Sequence, residues 1–320
     1  MRGLVCQIFL FLVSITVFIG RAQSQSLPRY SFRNDYTYDI QTKYFYKEGP
    51  KAKAWKGAVF DCEGEGAELA VPSTEAQMLG IVRHMSADTA GVWLGIHDAR
   101  ASGKFRMVNG SKTALAFETS GPIRKSCVGM RRNGAYSAYD CDTLRKFVCV
   151  KDAASVTSNS GCETYDMEYF YSIDADRCYK VHTQPRGWNN ARKLCTLEGT
   201  NLVVINSPEE SEIVVNILKV HEANTLWGDF NKEVIHLGYK KFMTNGEGFV
   251  TIEGKSLANS GFEAWAPGQP ANGPGVQCGG MLRNGSLTVV DCHQKAIFLC
   301  EKALGSFHMP SIDIRFSIDD

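Results

Sequence analysis

Six cysteines fall at two identical spacings, and that duplication constrains the fold more than anything else in the chain. Cys127, Cys141 and Cys149 are separated by 14 and 8 residues, and Cys278, Cys292 and Cys300 by 14 and 8 again. Upstream, Trp55 precedes Cys62 by seven residues, and Trp188 precedes Cys195 by seven. Tyr46-Lys47 and Tyr179-Lys180 stand ahead of them at matching distances, and residues 63–77 answer residues 196–211. Each copy closes with an aromatic residue two places before its last cysteine, Phe147 and Phe298. The front halves are offset by 133 residues and the back halves by 151, so the second copy carries 18 extra residues in its middle. A unit this long, repeated only twice, is a duplicated domain and not a solenoid, whose units are short and stack.

The chain starts with a secretion signal. Arg2 is followed by an apolar run over residues 4–20, then by small residues at Gly20 and Ala22. That is the order of charged region, apolar region and cleavage site. An N-terminal membrane anchor, the alternative, needs a longer run and a cationic flank behind it. Cleavage near Ala22 or Ser24 makes residues 1–24 the signal peptide and removes Cys6, one of eleven cysteines. The ten that remain are an even number in an oxidising compartment, which reads as five disulfides. Zinc would want C-x2-C knuckles, and no two of these cysteines are that close. Lys+Arg is 35 against 34 Asp+Glu, so no basic excess points to nucleic acid. No second apolar stretch reaches spanning length. The expectation is a secreted, extracellular protein with no membrane span and no nucleic-acid partner.

Residues 55–62 and 188–195 open amphipathic helices, with Trp188, Ala191, Arg192 and Cys195 at helical spacing. Ser207-Pro208-Glu209-Glu210 supplies the cap, the proline and the acids that start a second helix, and Ser73-Thr74-Glu75 does so in the first copy. Residues 92–96 and 146–149 read as buried strands, and segments rich in Gly, Asn and Pro fill the middle as loops. The predicted class is α+β, with two helices early and short antiparallel sheets late in each copy. Residues 152–161, small and polar, read as a flexible joint.

Taken together, these residues resemble the C-type lectin-like domain. Its frame of Trp, Ala and Cys on helix one is met by Trp55/Ala58/Cys62 and Trp188/Ala191/Cys195. Its Glu on helix two is met by Glu75 and by Glu209 or Glu210. Its W-[IL]-G-[LI] strand is met by Trp93-Leu94-Gly95-Ile96 and, with a substitution, by His236-Leu237-Gly238-Tyr239. The tandem arrangement, with residues 32–36 leading in, is similar to the dual-domain insect immune lectins called immulectins. The resemblance implies a first domain over residues 30–151, a linker over 152–161, a second domain over 162–302 and a C-terminal tail over 303–320. It also implies the pairings Cys62–Cys149, Cys195–Cys300, Cys127–Cys141 and Cys278–Cys292. Cys162 and Cys178 would clip an added hairpin on the second domain, which the first lacks because Phe45 stands where Cys178 does.

In that family a calcium ion in the long loop holds two vicinal sugar hydroxyls. Calcium takes about 6–8 oxygen ligands, drawn from E-P-N or Q-P-D, a Glu two residues before the loop cysteine, and W-N-D before the next. The second copy offers Gln269-Pro270, with Ala271 in place of the acid, Val276 in place of the Glu, and Leu287-Thr288-Val289 in place of W-N-D. Calcium is therefore expected to bind weakly or not at all, and no cofactor is assigned. Gln269, Pro270, Asn272, Trp265 and Asp291 are the carbohydrate-binding candidates, although a loop tryptophan such as Trp265 more often packs as core. In the first copy Lys125 takes the Glu position and Tyr136-Ser137-Ala138 replaces W-N-D, while Arg124, Lys125, Arg131 and Arg132 form a basic cluster. It would suit an anionic glycan or lipid phosphate, and its bland reading is a solvated loop.

Asn109-Gly110-Ser111 and Asn284-Gly285-Ser286 are N-glycosylation sequons. Neither H-E-x-x-H nor G-x-S-x-G occurs, so nothing supports hydrolytic catalysis, and the chain is expected to be no enzyme. The reading is a carbohydrate-binding pattern-recognition lectin of innate immunity, whose partners are microbial or cell-surface glycans. The alternative is a calcium-independent protein of the same fold that binds a protein or an anionic lipid or glycan.

Overall fold

The computed structural model describes residues 32–98, 100, 102–112, 126–241, 248–271 and 277–305. The expected signal peptide and the tail beyond residue 305 lie outside them. The first copy runs β1 (Thr37–Asp39), β2 (Tyr44–Glu48), α1 (Trp55–Gly64), β3 (Glu68–Leu69), α2 (Glu75–Arg83), β4 (Gly91–Asp98), β5 (Arg106–Met107), β6 (Ser126–Arg131), β7 (Tyr136–Asp140) and β8 (Lys146–Asp152). The second runs β9 (Phe170–Ser172), β10 (Arg177–Arg186), α3 (Trp188–Leu197), β11 (Asn201–Leu202), α4 (Pro208–Val220), β12 (Val234–Lys241), β13 (Phe249–Thr251), β14 (Gln277–Leu282), β15 (Leu287–Asp291) and β16 (Ala296–Ala303).

The two sheets share one topology. The first orders β1-β2-β8-β4-β6-β7, and the second, read from its other end, orders β9-β10-β16-β12-β14-β15. Each is mixed and not purely antiparallel. The last long strand lies parallel to the central one, with Val92 opposite Lys146 and Ile235 opposite Ile297. The class is α+β, two helices and a sheet per copy.

Repeated hydrogen bonds show why equivalent residues build equivalent elements. At α2, Thr74 Oγ1 accepts from Gln77 N at 3.2 Å, and Gln77 Oε1 accepts in return from Ser73 N at 2.8 Å. At α4, Ser207 Oγ accepts from Glu210 N at 3.1 Å, and Glu210 Oε2 accepts from Asn206 N at 2.8 Å. Each is a reciprocal cap that satisfies otherwise orphaned donors. α1 and α3 have no side-chain cap, following Ala54 and Gly187. Instead the Trp55 amide donates to the Cys141 carbonyl at 2.8 Å, and the Trp188 amide to Cys292 at 2.9 Å, so the loop disulfide caps the first helix. The indoles then cross the core, Trp55 Nε1 donating to the Leu94 carbonyl at 2.7 Å and Trp188 Nε1 to Leu237 at 2.6 Å. Trp93 Nε1 donates to the Lys53 carbonyl at 2.8 Å, and His236, which replaces it in the second copy, donates from Nε2 to the equivalent carbonyl of Arg186 at 2.9 Å.

The structure pairs Cys62–Cys149, Cys127–Cys141, Cys162–Cys178, Cys195–Cys300 and Cys278–Cys292, with Cα–Cα distances of 5.3, 5.0, 5.8, 5.3 and 5.1 Å. Those distances suit unforced bridges. Phe45 packs against Phe32 at 5.8 Å between ring centroids.

The 18 extra residues of the second copy are not one insertion into the long loop. β12 is offset from β4 by 143 residues, so ten of them come before that strand. α4 has 13 residues against nine in α2, and the segment that follows it, residues 221–233, is six longer than residues 84–90. Only the remaining eight lengthen the long loop.

Residues 152–161 are anchored at both ends. Asp152 ends β8 and its Oδ1 accepts from Ala154 N at 2.9 Å, while Ala153 is buried and its amide donates to the Lys43 carbonyl at 3.1 Å. Asn159 Nδ2 donates to the Tyr169 carbonyl at 2.6 Å. Residues 31–320 group as one compact unit, and α1 packs on α3, its own equivalent. Lys193 of α3 pairs with the buried carboxylate of Asp61 on α1, which Lys53 shares. Phe60 carries the Arg186 guanidinium at 5.3 Å and the Lys193 ammonium at 5.0 Å. The Arg33 guanidinium donates to the Leu197 carbonyl. Gly64 is required by the approach, since a Cβ there would meet Leu197 and Leu194 at 2.8 and 2.9 Å.

Candidate functional site

Trp265 stands over the core of the second copy. Its indole meets Tyr239 edge-on at 5.9 Å and Phe249 at 5.3 Å, and its Nε1 donates to Glu263 Oε1 at 3.3 Å. Main-chain bonds from Ala266 N to Leu287 O (2.9 Å) and from Leu287 N to Ala264 O (2.8 Å) tie this stretch to β15. The Gln269 side chain spends its oxygen on the same job, accepting from Ala271 N at 3.0 Å and Val289 N at 3.3 Å. Pro270 follows, exposed, after a cis peptide bond. Asp291 ends β15, exposed, and its Oδ1 accepts from the His293 amide at 2.7 Å and pairs with His293 Nδ1 at 3.1 Å. The amide bond from His293 holds the Asp291 carboxyl below its ordinary pKa. Gln269 and Trp265 thus both reach β15, and Asp291 lies further along that strand. Asn272 and Val276 lie outside the described residues.

This donor set does not fit calcium, which needs about 6–8 oxygens. Among the described residues the loop offers the Gln269 amide oxygen, already accepting two backbone N–H groups. Leu287 and Val289 bring no oxygen from their side chains, and the Thr288 side chain is buried. The Thr288 carbonyl accepts from the Tyr239 hydroxyl at 2.7 Å. In the first copy Tyr136, Ser137 and Ala138 lie on β7 and bring no carboxylate. One cluster has metal-ligand spacing among the described residues, His182, Glu198 and Cys300, but the Cys300 sulfur is bonded to Cys195.

The basic cluster separates. Arg132 donates from Nε to the Thr89 carbonyl at 3.2 Å and from Nη2 to the carbonyls of Met85 and Ser86, pinning the turn after α2. Arg283, its equivalent, donates from Nε to the Lys232 carbonyl at 2.7 Å and from Nη1 to Leu218 at 3.2 Å, pinning the segment after α4. Both follow a buried methionine strand and precede Asn-Gly, in Met130-Arg131-Arg132-Asn133-Gly134 and Met281-Leu282-Arg283-Asn284-Gly285. That shared string was the signal for a structural role. Arg131 hydrogen-bonds the Tyr139 phenol, whose ring lies 3.9 Å under the Arg145 guanidinium. Burial raises the Tyr139 pKa, but the bonds from Arg131 and Ser137 and the field of Arg145 outweigh it and hold it below its ordinary value. Arg124 and Lys125 lie outside the described residues. The sequon residues Asn109 and Asn284 are exposed, each accepting a turn bond at 3.0 Å, from Ser111 N and Ser286 N.

Where the copies meet, a cleft of about 140 Å3 is lined by Phe32, Arg33 and Glu65 from one and Tyr165, Lys180 and Glu198 from the other. Phe32 and Tyr165, equivalent by the repeat, touch at 5.4 Å. The polar walls also repeat. Tyr36 donates to Glu65 at 2.6 Å beside Lys47, and Tyr169 donates to Glu198 at 2.6 Å beside Lys180. Burial opposes the charge on Lys180, but Glu198 and Asp166 outweigh it and raise its pKa. These acids are spent on lysines, and the sequence reading did not foresee the cleft.

A second buried group was also missed. Glu301 on β16 accepts from Val204 N at 2.9 Å, and its other oxygen has no hydrogen-bond partner. Burial, with Glu210 facing it, pushes its carboxyl up to about 8, against the pull of Arg177 at 3.7 Å.

Comparison with known proteins agrees with this architecture. The family profile described as Lectin C-type domain matches residues 51–151 and 184–302. A hemolymph lipopolysaccharide-binding protein of Periplaneta americana is 39% identical over 128 residues, 39% of this chain and 49% of that protein. A secretory phospholipase A2 receptor of Mus musculus is 23% identical over 268 residues, 78% of this chain and 17% of the receptor. The C-type mannose receptor 2 of Homo sapiens is 22% identical over 198 residues, 58% of this chain and 13% of the receptor. The chain therefore spans about half the length of the first relative and under a fifth of the receptors. Among the described residues no helix is long and apolar enough to cross a membrane.

Proposed function

This chain belongs to the C-type lectin domain family, and from that premise we propose that it is a secreted pattern-recognition lectin that binds microbial surface glycans. We further propose that it does so without the family's calcium coordination and is a binding protein, not an enzyme. The likeness to a hemolymph protein named for lipopolysaccharide binding carries the choice of ligand class. The spent Gln269 oxygen and the apolar Ala271, Leu287 and Val289 carry the choice of mechanism. A protein that lacks a dication to grip hydroxyls must use direct hydrogen bonds and packing of sugar C–H faces on aromatic rings. Two domains on one chain make the second contact intramolecular, so weak single sites add up on a repetitive surface. An anionic ligand on the basic cluster is the weaker reading, because Arg132 is committed to three backbone carbonyls.

Binding of the secreted chain to immobilised bacterial and fungal cell-wall glycans, with calcium and again in EDTA, tests this. Binding that survives EDTA is expected. Loss of binding in EDTA would mean that Ala271, Val276, Thr288 and Val289 conceal ligands supplied from elsewhere, and the calcium-free mechanism would fall. Absence of binding in both conditions would sink the glycan reading itself.

A further inference from the structure

We propose that the segment between α4 and β12 is a saccharide-stacking site, with the Trp227 indole as its platform; the inference rests on the glycan-binding reading above. Trp227 is 94% exposed. Of the other four tryptophans, Trp55, Trp93 and Trp188 are buried and Trp265 packs on the core, so this one alone forgoes burial. Among the described residues it makes no hydrogen bond or ring contact. A bare indole in a slack loop would fold back on any apolar neighbour. Here the segment is held.

Leu226, immediately before it, is buried in the core with Leu218, and Phe230, three residues on, packs against the same cluster. Thr225 donates to the Glu222 carbonyl from both its amide (3.0 Å) and its hydroxyl (2.8 Å). Arg283 grips the Leu218 carbonyl on one side and the Lys232 carbonyl on the other, and its amide donates to the Glu233 carbonyl at 3.2 Å. Gly228 follows the indole at φ +111°, a conformation that L side chains avoid. The platform is thus presented on a pinned scaffold, which removes much of the ordering cost of binding.

The segment belongs to the second domain alone. Residues 84–90, its counterpart, are six shorter and carry no aromatic side chain. The chemistry beside the indole is that of a neutral ligand. Lys219 and Lys232 are offset by Glu222, Asp229 and Glu233, which leaves no cationic excess for a phosphate or an anionic lipid surface. One ring flanked by Asp229 and Asn231 suits one pyranose, its C–H face on the indole and its hydroxyls on the acceptors. A protein partner would need a far larger buried patch.

The test is oxidation of exposed tryptophan by N-bromosuccinimide in the full secreted chain, in EDTA, with neutral oligosaccharides of glucose and of N-acetylglucosamine as probes. Unliganded protein should lose one fast-reacting indole, and a bound oligosaccharide should protect it. Trp227→Ala should lower oligosaccharide affinity about tenfold or more with an unchanged melting temperature, since the side chain packs on nothing, and Trp227→Phe should recover part of it. Equal binding by wild type and Trp227→Ala would overturn the site while leaving the glycan reading in place. Protection by phosphatidylglycerol vesicles but by neither sugar series would assign the indole to a membrane surface instead. A wild type that binds no glycan on the cell-wall panel would fail the broader reading and this one with it.

Discussion

Single residues carry two kinds of work in this fold, and the repeat tells them apart. Arg132 and Arg283 occupy equivalent positions and hold equivalent turns, so their common function is to close the chain after the second helix. Hydrogen bonds from a charged donor contribute about 1.5–3 kcal/mol each. Arg132→Ala should therefore lose about 2 kcal/mol in urea unfolding and leave glycan binding unchanged. Arg283→Ala should cost a similar amount and also weaken binding, because the turn it holds displays Trp227. Equal binding by both variants would separate the turn from recognition. The sequence displayed the shared Met-x-Arg-Asn-Gly string plainly, yet read locally its arginines looked like a ligand patch. What decided the matter was which carbonyls lie within reach, and neither spacing nor charge reports that. Gln269 is a similar case, since the amide that resembles a ligand turns out to be bonded to Val289 and Ala271.

Elements with strong local signals were legible, and elements defined by distant partners were not. Thr74 and Ser207 announce α2 and α4 because a cap is a contact over three residues. Trp55 and Trp188 announce α1 and α3 through periodicity, but their caps come from cysteine carbonyls far along the chain. The 18-residue surplus could be counted but not located, because the offset changes at β12, whose motif begins with His236 in place of Trp93. β16 shows the same limit. Glu301 sits beside a disulfide cysteine on a strand closed in by α4 and β10, and only the fold brings it against Glu210. Unfolded, this carboxyl would lose its proton near 4.5, whereas folded it keeps it to about 8. The native state thus binds more protons across that window, and stability falls as pH rises through it. Glu301→Gln keeps the bond from Val204 N and can offer its amide to Glu210. It should match the wild type at pH 4.5 and exceed it by about 3 kcal/mol above pH 8, read from urea midpoints. Parallel curves at both pH values would show that the carboxyl is not protonated in the native state.

At the scale of the whole molecule the two domains act as one body, held by the α1–α3 contact. Residues 152–161 looked like a flexible tether because they are small and polar, yet both ends are tied and the domains they join are in contact. Composition speaks to what a segment would do alone, not to what it is pressed against. Lys193→Glu puts a second carboxylate beside the buried Asp61, and the variant should melt in two calorimetric steps where the wild type melts in one. Adding Asp61→Lys should merge the steps again, and if it does not, the seam is not held by this pair. The contact also bears on where such a chain comes from. When identical subunits meet about a two-fold axis, each position near the axis faces its own twin and must suit itself. Fusing the two genes lifts that demand. Here Phe60 and Asp61 answer Lys193 and Leu194, and Gly64 answers Leu197. Residues that would repel or leave a gap against themselves fit one another, so the seam reads as a former symmetric dimer whose halves, once covalently joined, were free to diverge into lock and key.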